Sequence, residues 1–278
     1  MKLIFVADFF VNKVLGGGEL NNDELKLILK SKNIEIEEIE SHLVTREYIL
    51  NNKHNKFVIF NFVNLNQEHK DEIMNHDYII YEHDHKYIRT RNPGLYRNFV
   101  APKSDIVNYL FYKNAKRILC QSSFHKQILQ KNLNLYNVES LSGNLWPIEC
   151  LRHMDRCRVI KKINKAAIMD STTPHKNTHD ARKYCEHKNI PYNLIPMMPY
   201  NEFLSFLGKH NKFVFLPKTP ETLSRVIVEA RIMNLKIITN KMVGATKEER
   251  YSKPPEQLLE HIFSMREHIP NKVLECFR

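Results

Sequence analysis

"FLPKTPETLSRVIVEARIMNLKIITN" (Phe215–Asn240) carries four signals in a row. An apolar run ends at Leu216, Pro217 and Pro220 break the chain, a helical pattern follows, and a second apolar run closes at Ile238. Strand, break, helix and strand in that order make one unit of a parallel sheet. Glu221 stands before the expected helix, and Glu229 lies inside it between Val228 and Ala230. On the plainer reading Glu221 only complements the helix dipole and Glu229 is a solvated face residue. A carboxylate set among apolar helix residues needs a partner, however. Thr222, Leu223 and Ser224 are expected in the first turn, where their backbone N–H groups suit a diphosphate, and Arg225 adds a fork of donors. The first carboxylate then suits sugar hydroxyls, and the second suits the paired hydroxyls of a ribose.

The same alternation runs outward from this stretch. Strand-like runs fall at 165–170, 192–196, 212–217 and 236–240, with helical patterns over 178–189 and 200–208. An earlier series places strands at 3–7, 56–62, 78–83 and 117–121, with helices from Gly16 to Lys30 and over 65–76, 104–114 and 122–133. A polar, basic segment at about 150–164 separates the two series. The pattern predicts an α/β protein of two Rossmann-like domains with parallel sheets, 1–150 and 151–254. A terminal helix in 255–278 is expected to pack back across both domains.

Composition narrows the class. The chain has 278 residues, 42% apolar and 26% charged, as expected of a folded protein. The opening "MKLIFVADFF" reads as a buried strand rather than a leader, and no stretch is apolar enough to span a bilayer. Five scattered cysteines without CxxC spacing favour reduced thiols and a cytoplasmic setting. The net charge of +11 points to a polyanionic partner, nucleic acid or an anionic membrane face; simple solubility is the competing explanation.

In open parallel sheets ligands bind at the carboxyl ends of strands, where the strand order reverses. Three further constellations fall at such ends. Gly16, Gly17 and Gly18 follow the first strand and open a helix, so the backbone there is suited to approach a phosphate, although the spacing is not that of a dinucleotide site. In "YIIYEHDHKYIRTRNP", His83 and His85 are expected on the same side of a strand end, with Asp84 opposite. Their spacing also suits a metal, but no neighbour completes a ligand set, so no metal is expected. Lys86, Arg89, Arg91, Arg97 and Lys103 make the following loop cationic. Lys176 stands just before a helix, where it can neutralise a phosphate.

Taken together, "PETLSRVIVEA", "GGGE", "EHDH", "ILCQSSFHKQIL" and "PHKNT" resemble, in this order, the retaining glycosyltransferases of GT-B fold in glycosyltransferase family four. The set is also similar to short members found in tailed-phage genomes, which would place the protein in a host cytoplasm. The resemblance implies two domains facing a central cleft, no cofactor, and a nucleotide-diphosphate sugar as donor. It implies that Glu229 binds the ribose, that Glu221 contacts the transferred sugar, and that Lys176 and Arg225 hold the diphosphate. Gly17 and Gly18 would approach the phosphates, and His83 or His85 would be the active-site histidine. The reaction would retain anomeric configuration without a metal. This chain departs from the family in its short length, in Asp170-Ser171 where an arginine is usual, and in Thr222-Leu223-Ser224 where a glycine-rich turn is usual.

The acceptor divides two enzyme readings. A hydroxymethylated pyrimidine in phage DNA fits the charge in Lys86–Lys103 and in 152–165, with Lys86, Arg89, Arg91 and Arg97 meeting phosphates. Tyr87, Tyr96, Phe99 and Trp146 would be its stacking residues or else core. A lipid-linked or surface polysaccharide at an anionic membrane fits the same charge. A degenerate module that only binds sugar nucleotide or nucleic acid is the non-enzymatic reading.

Overall fold

The computed structural model describes residues 1–278, which divide into two compact units: Met1–Leu145 with Met265–Arg278, and Trp146–Ser264. The first unit is built on a six-stranded sheet. Its strands are β1 (Lys2–Ala7), β2 (Glu35–Glu40), β3 (Lys56–Ile59), β4 (Tyr78–Glu82), β5 (Ile118–Cys120) and β6 (Val138–Ser140), in the order β2-β1-β3-β4-β5-β6. Every pairing is parallel. The crossovers carry α1 (Gly17–Ser31), α2 (Arg46–Asn51), α3 (Gln67–Ile73), α4 (Tyr109–Asn114) and α5 (Ser123–Leu133).

Both faces of this sheet are covered, which explains why its central strands are continuous apolar runs. Ile4, Val6, Phe57, Ile59 and Ile80 point into one core, and Leu3, Phe5, Val58, Ile79 and Tyr81 into the other.

The second unit has a four-stranded parallel sheet of β7 (Ile163–Met169), β8 (Tyr192–Ile195), β9 (His210–Phe215) and β10 (Lys236–Thr239), ordered β10-β9-β7-β8. Around it lie α6 (Ile148–Val159), α7 (Thr178–His187), α8 (Tyr200–Gly208) and α9 (Arg225–Ile232). The last helix, α10 (Pro255–Glu275), gives Leu258, Leu259 and Ile262 to the core of the second unit. Its later residues Met265, Ile269 and Val273 belong to the core of the first. No helix is long and apolar enough to cross a membrane.

Several elements differ from the expectation. The polar, basic segment expected to separate the two series at about 150–164 is mostly helix α6, which buries Cys150, Leu151, Met154 and Cys157 at helical spacing. The helix expected over 104–114 begins only at Tyr109, because Asn108 takes a left-handed conformation, φ 58°. Strand β2, "EIEEIE", sits at the sheet edge with its glutamates largely on accessible positions.

Candidate functional site

In the second unit the strand order reverses between β7 and β9, so the loops leaving their carboxyl ends flank the switch point. Lys176 ends a 3-10 turn, Pro174–Lys176, after β7, and Asn177 (φ 59°) then starts α7. Glu221 lies in the loop between β9 and α9, where its N–H donates to Met242 O (2.7 Å) and its carbonyl accepts from Gly244 N (2.9 Å). These loops bring the two side chains together: Lys176 Nζ donates to Glu221 Oε1 at 2.9 Å. Lys176 Nζ also stands 5.6 Å from the centre of the Phe215 ring. A cation and a carboxylate expected at the donor end are therefore one ion pair, partly open to solvent.

Helix α9 starts at Arg225, later than the sequence suggests. Thr222 and Leu223 precede it, and the Leu223 side chain is buried in the core. The reason is Ser224, held at φ 74° and ψ 90°, which breaks the chain direction immediately before the helix. Ser224 is 8% exposed, and its Oγ is buried with no hydrogen-bond partner. A buried hydroxyl left in this way is uncommon.

Glu229 has the partner that its position demands. Its Oε1 accepts from Trp146 Nε1 (2.9 Å) and from the Tyr200 hydroxyl (2.6 Å), with Arg225 Nε 3.8 Å away. The Arg225 guanidinium lies over the Trp146 ring, 4.3 Å from its centre. Burial, and then the charge of Glu229, push the Tyr200 hydroxyl far above its usual range, so it stays a donor. Trp146 and Tyr200 carry no motif that marks them in the sequence, apart from Tyr200 following β8 as the other site residues follow β7 and β9.

The carboxyl ends of the first unit's strands hold a second group. No glycine in the chain has positive φ, so the glycine cluster is not there for an unusual backbone conformation. Gly18 lies beside His83: a Cβ at that position would stand 3.4 Å from His83 Cγ, an ordinary contact. His83 Nε2 pairs with Asn22 Oδ1 (2.6 Å), its Nδ1 pairs with Gln121 Nε2 (2.8 Å), and its ring stacks on Tyr81 and Phe60.

His85 does not share that side. It is buried, its Nδ1 pairs with the Tyr87 hydroxyl (2.9 Å), and its ring meets His125 edge-on. Strand β4 ends at Glu82, so the alternation that would align His83 with His85 has already stopped. The two histidines therefore do not form a metal-binding pair, and His83 is the one beside the glycine turn.

Lys86 is not part of the cationic surface. It is 3% exposed, and its ammonium donates to Glu82 (2.5 Å), Asp84 (3.0 Å) and Asn61 (3.3 Å). Asp84 and Glu82 hold Lys86 above its ordinary range against the effect of burial. Burial pushes the Glu82 carboxyl up to about 7, with Lys86 opposing. Glu19, in the first turn of α1, is also pushed up by burial; the sequence shows it only as the fourth letter of "GGGE".

Arg89, Arg91 and Arg97 are exposed, as expected; Arg91 pairs with Asp84 at 3.3 Å. Tyr87 and Trp146 are buried, which removes them as stacking residues. Lys161 and Lys165 lie at the amino end of β7, opposite the end that carries Lys176, so these two charges are not beside this site.

No family model matches the chain, and no curated protein matches it by sequence. Solved structures do. Anabaena Alr3699/HepE in complex with UDP is 13% identical over 96% of this chain and 90% of its own, with a TM-score of 0.56. The UDP-GlcNAc 2-epimerase of Methanocaldococcus jannaschii, in complex with UDP-GlcNAc and UDP, is 11% identical over 96% and 93%, with a TM-score of 0.54. An α-glucosyltransferase in complex with UDP and a 13-mer DNA containing a HMU base is 10% identical over 97% and 90%, with a TM-score of 0.53. The chain thus has the GT-B type of fold, two Rossmann-like α/β units with parallel sheets of six and four strands.

Proposed function

We propose that the protein is a retaining, metal-independent glycosyltransferase that uses a nucleotide-diphosphate sugar. The observation that carries this reading is the Lys176–Glu221 pair at the β7/β9 switch point. Lys176 and Arg225 would neutralise the diphosphate, with the amino end of α9 and the Ser224 hydroxyl completing its cradle. Glu221 would accept hydrogen bonds from the transferred sugar, and Glu229 from the ribose. Gly17 and Gly18 allow the backbone to approach the phosphates, and His83 stands beside Gly18 to meet the sugar.

In this reaction the bond between the sugar C1 and the phosphate oxygen breaks, and its electron pair leaves on the diphosphate. The acceptor oxygen forms the new bond on the same face, and its proton passes to the departing phosphate oxygen. Such a front-face displacement retains configuration without a carboxylate nucleophile, which a double displacement would require. The 2-epimerase shares the fold, so the chemistry rests on these side chains rather than on architecture.

The favoured acceptor is a hydroxymethylated pyrimidine in DNA. The net charge of +11, the exposed Arg89, Arg91 and Arg97, and the likeness to the DNA-bound α-glucosyltransferase support it. A lipid-linked acceptor at an anionic membrane is the second reading, favoured by Leu95, two residues before Arg97, and by Leu110 on α4, which are 65% and 58% exposed. The test offers UDP-, GDP- and ADP-glucose with hydroxymethylated duplex DNA or lipid-linked acceptor in anionic vesicles. Transfer to DNA alone with retained configuration supports the favoured reading, and transfer to lipid alone replaces it with the second. Inversion at the sugar C2 without transfer would contradict both.

A further inference from the structure

The Glu229 carboxylate is held by one oxygen. Trp146 Nε1–H and the Tyr200 hydroxyl both donate to Oε1, at 2.9 and 2.6 Å, and Arg225 Nε lies 3.8 Å from the same atom. None of these contacts uses Oε2. The three groups come from separate places: Trp146 precedes α6, Tyr200 opens α8, and Arg225 sits one turn before Glu229 on α9. Glu229 is 2% exposed, so its side chain is packed among these groups.

A carboxylate has two oxygens and about four acceptor sites, and its terminal torsion is broad. Two donors from rigid aromatic side chains on one oxygen remove that freedom. They fix the direction in which the other oxygen presents its lone pairs. Neither donor loses its proton in the working range. An aliphatic neighbour could fill the same space, but it would leave the carboxylate free to turn.

We propose that Trp146 and Tyr200 are positioning residues that aim Glu229 Oε2 at the 2′-hydroxyl of the donor ribose, and so make the site selective for ribonucleotides over 2′-deoxyribonucleotides. This rests on the nucleotide-sugar reading above. A site built to bond a hydroxyl rejects the analogue that lacks it, because its own polar group is then left unpaired. The selectivity belongs to the aim of the carboxylate and not only to its presence. Removing one aiming donor should therefore weaken discrimination while the carboxylate remains.

Trp146 is the sole tryptophan in the chain and contacts both Arg225 and Glu229, so its fluorescence reports binding at this place. The experiment titrates UDP, GDP and ADP, each beside its 2′-deoxy counterpart, into the wild-type protein and Tyr200→Phe by fluorescence, and into Trp146→Phe by calorimetry. The wild type is expected to prefer the ribo form of its nucleotide by about 10-fold or more. In both variants that ratio should fall several-fold toward one. A loosened structure would instead weaken both forms together and leave the ratio intact, and melting curves of each variant separate the cases. Full discrimination in both variants overturns the proposal while leaving the donor reading in place. Equal wild-type affinity for the ribo and deoxy forms overturns it too. Binding of none of the nucleotides overturns the donor reading and the proposal together.

Discussion

Lys176 and Glu221 are 45 residues apart in sequence, yet the ammonium of one donates to the carboxylate of the other at 2.9 Å. They leave the carboxyl ends of β7 and β9, the two strands between which the sheet order turns. The pair holds each side chain in place without a ligand. A diphosphate that reaches it would meet a cation already aimed. Replacing Lys176 with Met should lower sugar transfer by about 10²–10³-fold, the usual loss for one charge-stabilising donor. Initial rates at saturating donor check this.

Glu221→Gln keeps the shape but removes the negative charge of the pair and leaves Lys176 uncompensated. Nucleoside diphosphate binding, measured by calorimetry, should persist because Lys176 is then freer to meet phosphate. Transfer of the sugar should fall sharply. Equal loss of binding and transfer would remove Glu221 from the sugar.

Gly18, at the start of α1, faces the His83 ring. An added Cβ at 3.4 Å from His83 Cγ is an ordinary contact, so Gly18→Ala should fold and retain activity. Gly18→Val adds two methyl groups against a ring that already stacks on Tyr81 and Phe60. It should reduce kcat while circular dichroism remains that of the wild type.

The buried Glu82 predicts a pH effect. Burial raises its folded value to about 7 from 4.5, so the folded state binds more protons between those limits. Its contribution to stability is therefore greatest on the acid side of that window and declines as pH rises from about 4.5 through about 7. The difference in unfolding free energy between wild type and Glu82→Gln, followed by urea melts from pH 5 to pH 8, should shift against the wild type as pH increases. A constant difference would contradict it.

Arg89, Arg91 and Arg97, like Lys103, are exposed in the stretch that follows β4. If they meet DNA phosphates, replacing each with Ala should flatten the dependence of log K on log salt by about one unit. Fluorescence anisotropy with a labelled duplex reads this slope. Lys86→Ala should instead destabilise the fold, since it strands Glu82 and Asp84.

The sequence shows the central strands plainly because runs such as "LIFVA" and "KFVIF" are buried on both faces and need no alternation. It hides β2, whose glutamates mask an edge strand, and β6, which has three residues. Helix α6 reads as a polar, basic separator because its arginines dominate the eye, while Cys150, Leu151, Met154 and Cys157 form the stripe that seats it. At the site, Glu221, Glu229, Lys176 and Arg225 are legible from their place after strands. Their partners are not, because Trp146 and Tyr200 reach Glu229 from 83 and 29 residues away. Charge counting likewise cannot tell the buried Lys86 from the exposed Arg89. The side of His85 is lost to pattern reading once β4 ends at Glu82.

Thermal melting of the wild type and Lys176→Met in UDP, GDP and ADP tests the central claim most directly. A ligand at about 100 times its Kd stabilises the folded state by about 2.7 kcal/mol, which shifts Tm by about 5 °C in a protein of this size. One nucleotide should raise the wild-type Tm by that amount and raise the variant's far less. No shift with any nucleotide, or an equal shift in both proteins, would contradict a diphosphate site at Lys176.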